Sequence, residues 1–289
     1  KNILKLIKPL FLDELQTEFQ KVKSNKNKLA AFHQKLGNLK FLDPACGCGN
    51  FLIITYRELR LLELEVLKEL YGGQQVIGID QIMLVDVDQF YGIEYDEFPA
   101  RIAEVALWLM DHQMNLRISE AFGMYYARLP LKKSATIVHG NALRTEWTDI
   151  VPKTELSYIL GNPPFVGSKL LKKEQREEMA EIFSKVDNGK ILDYVAAWYY
   201  LSAKLINDTS IKVAFVSTNS ITQGEQVGVL WGVMLHEFQI KIHFAHTTFK
   251  WNNEAKGKAA VYCVIVGFAN FDSKNKHLFN YSDIKGEPT

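Results

Sequence analysis

From residue 38 onward, short apolar runs typical of strands alternate with longer segments of helical periodicity, and this alternation constrains the fold more than any other feature. The runs predict seven strands, at 39–43, 89–94, 136–139, 156–160, 211–217, 239–246 and 259–268. The helices predicted between the later strands cover 171–186, 191–207 and 225–237. Because strands that alternate with helices pair in parallel, the predicted fold is α/β with a mostly parallel seven-stranded sheet. The last two strands are predicted to form an antiparallel terminal hairpin, joined by a loop at 247–258.

The residues before this alternation have a different pattern. Two amphipathic helices separated by a Lys/Asn/Ser stretch predict an N-terminal helical cap over residues 1–37, followed by an α/β domain over 38–289. The stretch 72–88, rich in Gly and Gln and then in Asp, predicts a surface insertion before the second strand.

The run FLDPACGCGNF, residues 41–51, combines a strand, a glycine-containing turn and the start of a helix. Gly47 and Gly49 let the backbone approach a ligand without interference from a Cβ atom. The first turn of the helix directs free N–H groups at a bound carboxylate. This arrangement is typical of sites for nucleotide-like cofactors. The chain has neither G-x-x-x-x-G-K-[ST] nor G-x-G-x-x-G, which argues against a phosphate-cradling or dinucleotide site.

A carboxylate ends the second predicted strand. Glu94 closes the run FYGIE, and an acid at this position can accept hydrogen bonds from both hydroxyls of a ribose. The structural alternative is a solvated carboxylate at a strand end.

The tetrad Asn162-Pro163-Pro164-Phe165 follows the apolar run Tyr158-Ile159-Leu160. A strand that ends here places the Asn162 side chain and the carbonyls of a stiff Pro-Pro turn at the carboxyl edge of a sheet, where ligands of open α/β sheets bind. Two acceptors at this edge can hold the hydrogens of an aromatic amino group, and Phe165 can stack on its ring. The alternative is a turn with a buried phenylalanine.

Four segments occur in the order used by the amino-methylating DNA methyltransferases of the γ arrangement. They are DPACGCGNF, GIEYDEFPARIAEVALWL, HGNAL and GNPPFVGSK, and IKVAFVSTNSITQGEQVGVLW and FKWNNEAKGKAAVYCVIVGF agree with later motifs. Over about residues 38 to 270, the chain most resembles the methyltransferase region of single-chain type IIG and type IIL restriction-modification enzymes, which methylate adenine N6.

This resemblance implies a Rossmann-like class I fold that depends on S-adenosylmethionine, with residues 38–289 as the methyltransferase catalytic domain. It places the cofactor against a set of loop and strand-end residues: Asp43, Pro44, Ala45, Cys46, Gly47, Asn50, Phe51, Glu94, Tyr95, Asn141 and Ala142. The sequence departs from the family pattern at two positions. Asn141 replaces the more common Asp, and Cys48 replaces the usual Ser, so both side chains form weaker hydrogen bonds than their usual counterparts.

The resemblance also implies the catalytic roles. Asn162, Pro163, Pro164 and Phe165 are expected to hold a flipped-out adenine, with the methyl group delivered in line to N6. A second aromatic is expected to stack on the other face of the base, with Phe249 as first choice and Trp251 as second.

Two other positions leave more than one interpretation. Asp193 either lines the cofactor site, as in relatives, or caps a helix. Gln226 lies in a polar segment that matches the type IIL pattern and equally fits an ordinary cap or turn.

Other functions remain open at this stage. Cytosine N4 presents the same chemistry, and the N-P-P-[FY] tetrad also occurs in methyltransferases that act on RNA guanine N2 or on a protein glutamine. A non-catalytic methyltransferase fold retained for DNA binding is the third class of hypothesis.

Composition limits the partners and the compartment. A net charge of +1 is low for a protein that binds double-stranded DNA alone, so we expect a fragment. The resemblance to single-chain enzymes implies that nuclease and target-recognition regions belong to the same full-length chain. The sequence has no apolar run of transmembrane length and no signal-peptide core with a cleavage site, which predicts a cytoplasmic location, and the resemblance to restriction-modification enzymes implies a prokaryotic one. Its three cysteines, Cys46, Cys48 and Cys263, fit neither a disulfide set nor a metal site, and no metal is expected.

Overall fold

A computed structural model describes residues 2–72, 82–123, 134–251, 261–284 and 286–288. Within these ranges the helices are α1 (Asn2–Ile7), α2 (Asp13–Val22), α3 (Lys26–Asn38), α4 (Asn50–Tyr71), α5 (Glu97–Phe122), α6 (Lys173–Ile182), α7 (Ala196–Leu205) and α8 (Glu225–Gly232). π-Helical turns follow α1 at Lys8–Leu12 and α8 at Val233–Glu237. In the ranges given above, no helix has the length and apolar character needed to span a membrane.

The strands are β1 (Phe41–Asp43), β2 (Phe90–Glu94), β3 (Thr136–His139), β4 (Tyr158–Gly161), β5 (Lys212–Thr218), β6 (Lys241–Trp251), β7 (Val261–Ala269) and β8 (His277–Phe279). They form one sheet in the order β3-β2-β1-β4-β5-β7-β6-β8. β2 pairs in parallel with β1 and β3, and β7 runs antiparallel to β5 and β6. The predicted class, a mostly parallel α/β sheet of the class I methyltransferase type with an antiparallel β6/β7 pair, is confirmed.

Two details of the strand prediction are wrong. The described sheet has eight strands, because β8 pairs in parallel with β6, and a run of three residues is too short to show alternation. The predicted loop at 247–258 also begins too early, since β6 continues to Trp251. Register shifts at Ile242/Phe244 and His246/Phe249 interrupt the β6/β7 pairing, so the inward and outward alternation is broken part-way along the strand. Residues 252–258 of that loop lie outside the described residues.

The chain divides into two compact units. The first unit comprises Ile7–Asn141 and Glu146–Tyr158, and the second comprises Lys1–Leu6, Ala142–Thr145 and Ile159–Thr289. The predicted boundary between a cap at 1–37 and a domain at 38–289 stays a prediction. α2 and α3 belong to the first unit together with β1, β2 and β3.

Aromatic rings form the core beneath the first strands of the first unit. Phe41 of β1 stacks on Phe90 of β2 at 5.2 Å between ring centroids and on Tyr158 at 5.2 Å, while Phe11 meets Phe41 edge-on. All four rings are buried. These contacts involve the first residues of β1 and β2, and the loops of the candidate site follow the last residues of the same two strands.

A buried ionic network joins α4 to α5 in the same unit. Arg60, 1 % exposed, donates to Asp111 Oδ1 at 3.0 Å and to Asn115 Oδ1 at 2.8 Å. The neighbouring Glu63 accepts from the backbone N–H of Val85 at 2.9 Å and lies 2.9 Å from Nε2 of His33 in α3. Loss of one partner from such a network leaves a buried charge without compensation.

Candidate active site

The loop after β1 has the geometry of a ligand cradle. Gly47 and Gly49 adopt left-handed backbone conformations, with φ of 55° and 81°. A Cβ atom on Gly49 would lie 3.0 Å from the Cβ of Ala103 in α5, so this position has no room for a larger residue. Gly49 is the N-cap of α4 and supplies no side chain to the first turn, which leaves the N–H groups of that turn directed at the loop.

Asp43 anchors the beginning of the loop. Its side chain is 1 % exposed and its Oδ1 accepts from the N–H of Ala45 at 3.0 Å. Burial raises the pKa of Asp43 to about 8; the Ala45 hydrogen bond opposes this shift and the charge of Glu94 adds to it. A cation beside this carboxyl would favour its ionised form, which suits a ligand that carries positive charge.

Glu94 connects the end of β2 to the same loop. Its Oε2 accepts from the N–H of Gly47 at 2.8 Å and its Oε1 accepts from the N–H of Asp96 at 3.1 Å. Each carboxylate oxygen can accept more than one hydrogen bond, so Glu94 can hold the loop and still accept two ligand hydroxyls. Beyond it, the Tyr95 side chain is 70 % exposed and its ring is open to a ligand.

The remaining predicted cofactor residues lie on the loop or after β3. Asn50 and Phe51 form the first turn of α4, and Phe51 is buried. The N–H of Gly140 donates to the carbonyl oxygen of Glu94 at 2.8 Å, which brings the end of β3, and Asn141 after it, beside the end of β2. Asn141 is half-buried in the first unit, whereas Ala142 is buried in the second.

Of the two cysteines in this loop, Cys46 is buried in surroundings that favour its protonated thiol. Cys46 is 6 % exposed, and burial raises the pKa of its thiol well above the ordinary value, with the nearby Asp43 and Glu94 charges adding to the effect. A protonated thiol is unreactive. Its backbone N–H instead donates to Ile93 O at 3.0 Å and fixes the turn.

The second unit carries the tetrad directly after β4. Asn162 is half-buried, Pro163 is buried, Pro164 is exposed and Phe165 is half-buried. The Oδ1 atom of Asn162 is inaccessible to solvent and has no hydrogen-bond partner among the described residues. A buried acceptor without a donor costs about 1–3 kcal/mol, so an acceptor in this condition points to a ligand that donates.

A family model that describes the DNA-methyltransferase domain of MmeI matches residues 19–280. The chain belongs to the MmeI DNA-methyltransferase domain family. It is 57 % identical to the type IIL restriction-modification enzyme MmeI, whose structure was solved in complex with DNA, with a TM-score of 0.96 over 100 % of this chain and 39 % of that one. It is 48 % identical to DNA methyltransferase A of Bacillus subtilis strain 168, over 96 % of this chain and 32 % of that protein.

The MmeI-type domain therefore spans 32 % of the length of DNA methyltransferase A and 39 % of the length of MmeI. The type ISP enzyme LlaGI, a nuclease-deletion mutant bound to a DNA substrate mimic, is 16 % identical with a TM-score of 0.53 over 84 % of this chain and 21 % of that one. At that identity the likeness shows a common fold alone.

S-adenosylmethionine is the methyl donor of the MmeI family, and the residues present fit it. The glycine cradle leaves room for a ligand beside the backbone, Glu94 has capacity for ribose hydroxyls, and a positively charged ligand would stabilise the buried carboxylate of Asp43. Where the structure is described, the domain contains no His, Cys, Asp and Glu cluster suited to a metal ion.

The sequence did not predict the hydrogen bonds that Asp193 makes to the segment after the tetrad, which we call the Asp193 clamp. Asp193 accepts from the N–H of Ser168 at 2.8 Å through Oδ1 and from the hydroxyl of Ser220 at 2.6 Å through Oδ2. Its own N–H donates to Gln226 Oε1 at 2.9 Å, and the N–H of Tyr194 donates to Val166 O at 2.9 Å. Asp193 therefore ties the segment after Phe165 to the segment after β5 and does not act as a helix cap.

The two candidate stacking aromatics differ in exposure. Phe249 is 1 % exposed and stacks on Tyr281 at 5.1 Å between centroids, with the Lys5 ammonium 5.5 Å from the Phe249 centroid. Trp251, two residues later at the end of β6, is half-buried. A base can stack on Phe249 only after Tyr281 moves, so the structure favours Trp251, and both assignments stay predictions.

Proposed function

We propose that this chain is the catalytic domain of a DNA methyltransferase that modifies adenine N6 and is part of a single-chain restriction-modification enzyme. The observation that carries the proposal is the unpartnered Oδ1 of Asn162 at the end of β4, an atom without a donor among the described residues. An amino group that donates to this atom removes the cost of the orphaned acceptor, and the adenine N6 amino group has two hydrogens to donate.

Asn162 Oδ1 accepts one of these hydrogens and the carbonyl of Pro163 accepts the other. Hydrogen bonds to these two oxygens hold the amino hydrogens out of the ring plane. The nitrogen then moves toward tetrahedral geometry, and its lone pair becomes available for attack. The same two oxygens stabilise the positive charge that develops on the nitrogen before it loses a proton. Bound S-adenosylmethionine supplies the methyl group on a positively charged sulfur, so the remaining task of the protein is to position the groups.

The target base must leave the DNA stack before it can reach Asn162, at a cost of a few kcal/mol. Stacking on Phe165 offsets part of this cost, by about 1–3 kcal/mol per aromatic contact. A second stacking contact, with Trp251, would bring the total stacking energy close to the cost of moving the base out of the DNA stack. Asp193 keeps the segment after Phe165 in place during this exchange.

Double-stranded DNA is the proposed partner, and the sequence-specific contacts come from regions beyond this domain in the same polypeptide. The near-neutral charge of the chain supports this division. Lys169, Lys172 and Lys173 are exposed in the segment after the tetrad and are proposed to contact phosphates. The proposed location is the prokaryotic cytoplasm.

Cytosine N4 is the competing target because it presents the same –NH₂ group to the same acceptors. Methyl transfer by the full-length enzyme to duplex DNA, followed by mass spectrometry of the released nucleosides, separates the two. N6-methyladenine is the expected product. N4-methylcytosine would replace the adenine assignment, and the absence of any methylated nucleoside would contradict DNA as the substrate.

The role of Asn162 is tested in the same assay with two variants. Asn162→Ala removes the acceptor and is expected to lower methyl transfer by about 10²-fold or more, while S-adenosylmethionine binding is retained. Asn162→Asp keeps an acceptor and is expected to retain measurable activity. Asn27→Ala, at an exposed position in α3, is the control. Equal activity of Asn162→Ala and the wild-type enzyme would contradict the proposed role.

A further inference from the structure

Helix α5 has an exposed apolar stripe on the side away from its core contacts. Four side chains form it, Phe98, Val105, Leu109 and Leu116, with exposed fractions of 76, 55, 53 and 42 %. They are separated by seven, four and seven residues, so at 3.6 residues per turn all four lie within roughly 40° of one another around the helix. The stripe is roughly 27 Å long at a rise of 1.5 Å per residue.

The opposite side of α5 is already packed in the core of the first unit. Ala103, Leu107, Met114 and Ile118 are each 2 % exposed or less. Their mean direction is roughly 170° from the stripe around the helix axis. A surface helix normally has one apolar face, and a helix that is apolar on opposite faces is typical of a position between two layers. α5 therefore has the sequence of a helix that is covered on both sides.

The size of the stripe indicates what kind of partner can cover it. With a helix diameter of about 10 Å, the stripe presents on the order of 270 Å². A stable association between separate proteins buries about 800 Å² on each partner, so the stripe alone is too small to hold a second copy of the chain. A segment tethered in the same polypeptide is held at an effective concentration in the millimolar range and needs far less area.

The chemistry of the stripe and the length of the relatives agree with a tethered partner. The stripe residues are apolar, and the charge of the adjacent Arg101 is already paired with Glu104 at 3.2 Å, so this surface is a poor match for DNA phosphates. This chain covers 32 and 39 % of the two relatives described above, which leaves more than half of each relative outside the aligned domain.

We propose that the α5 stripe is the docking site for an amphipathic α-helix from another region of the full-length polypeptide, packed along Phe98, Val105, Leu109 and Leu116. The proposal rests on the proposed function, in which this chain is one domain of a longer enzyme. The docked helix presents its own apolar residues at spacings of three, four and seven to match the stripe. It anchors a neighbouring region to the back of the helix whose N-terminus follows Glu94.

Cysteine labelling tests the proposal without depending on activity. Val105→Cys and Leu109→Cys place thiols on the stripe, and Arg117→Cys places one on the same helix about 100° away at an exposed position. Each is made in the 289-residue chain and in the full-length polypeptide, and the rate of maleimide labelling is compared. The unmodified protein gives the background from the half-buried Cys48, and calorimetry with S-adenosylmethionine verifies that each variant is folded.

We expect the thiols introduced by Val105→Cys and Leu109→Cys to react at least about tenfold more slowly in the full-length polypeptide than in the 289-residue chain, whereas the thiol of the Arg117→Cys variant reacts in both. Equal labelling rates in the two proteins for Val105→Cys and Leu109→Cys would overturn the proposal. Protection that arises in the 289-residue chain and increases with its concentration would also overturn it, because that result identifies a second copy as the partner. Neither result affects the methyl-transfer assay, so failure of this proposal is distinguishable from failure of the proposed function.

Discussion

Replacement of Glu94 by glutamine is expected to weaken the binding of S-adenosylmethionine by about ten- to hundredfold. The carboxylate accepts from two backbone N–H groups, those of Gly47 at 2.8 Å and Asp96 at 3.1 Å, through different oxygens. A glutamine has one acceptor oxygen and one NH₂ group. In either orientation of the amide, one backbone N–H therefore faces another donor.

The magnitude follows from the bond that is lost. A hydrogen bond to a charged group contributes about 1.5–3 kcal/mol, and every 1.4 kcal/mol changes an affinity tenfold. Loss of the hydrogen bond from Gly47 also leaves this part of the loop less restrained, so the cofactor has to order it on binding. The effect is expected on affinity, while the domain remains folded, because Glu94 lies at a half-buried strand end and not within the core.

Isothermal titration calorimetry on the 289-residue chain measures this effect directly. Glu97→Gln removes the same charge at an exposed position three residues later, 3.7 Å from Arg101, and is the control for net charge. Circular dichroism verifies the fold of both variants. If Glu94→Gln and Glu97→Gln bind the cofactor equally well, the reasoning about the two oxygens is wrong.

Two further predictions concern the second unit. Asp193→Ala releases the N–H of Ser168 and the hydroxyl of Ser220, so methyl transfer is expected to fall by about tenfold or more with cofactor affinity little changed, and parallel losses in both measurements would contradict the clamp. The exposed Asp187→Ala is its control. Burial lowers the pKa of His246 to about 4, below the unfolded value of about 6.5, so the neutral ring contributes stability above pH 6.5 that is lost as the pH falls toward 4. The melting temperature of the His246→Phe variant is therefore expected to fall less between pH 7 and 4.5 than that of the wild-type chain. Equal decreases in thermal melts would show that His246 does not set the acid sensitivity.

The parts of the fold that depend on local pattern were predictable. β1 to β5 follow apolar runs close to the predicted bounds, and Asp43 and Glu94 lie at the strand ends where cofactor residues were expected. β8 was not predictable because three residues that are largely exposed carry no usable periodicity.

The features that depend on tertiary structure were not accessible from the sequence. Asp193 meets its partners across 25 and 27 residues, and a lone acid before a helix predicts a cap more readily than a clamp. The choice between Phe249 and Trp251 was difficult for a related reason. The register shift between His246 and Phe249 interrupts the alternation that would have told which ring faces the core.

The unsatisfied oxygen of Asn162 makes the proposed activity of this domain easy to lose when the domain is selected for stability in the laboratory. Its burial without a donor among the described residues is a standing penalty of about 1–3 kcal/mol in the absence of substrate, and a replacement that removes the acceptor relieves that penalty. Selection for heat resistance alone would therefore favour substitutions at this position and, under the role proposed for Asn162, yield stable proteins without methyl-transfer activity. Under the proposed role, Asn162 has to be kept unchanged when the domain is stabilised, and the stabilising substitutions have to be made at other positions.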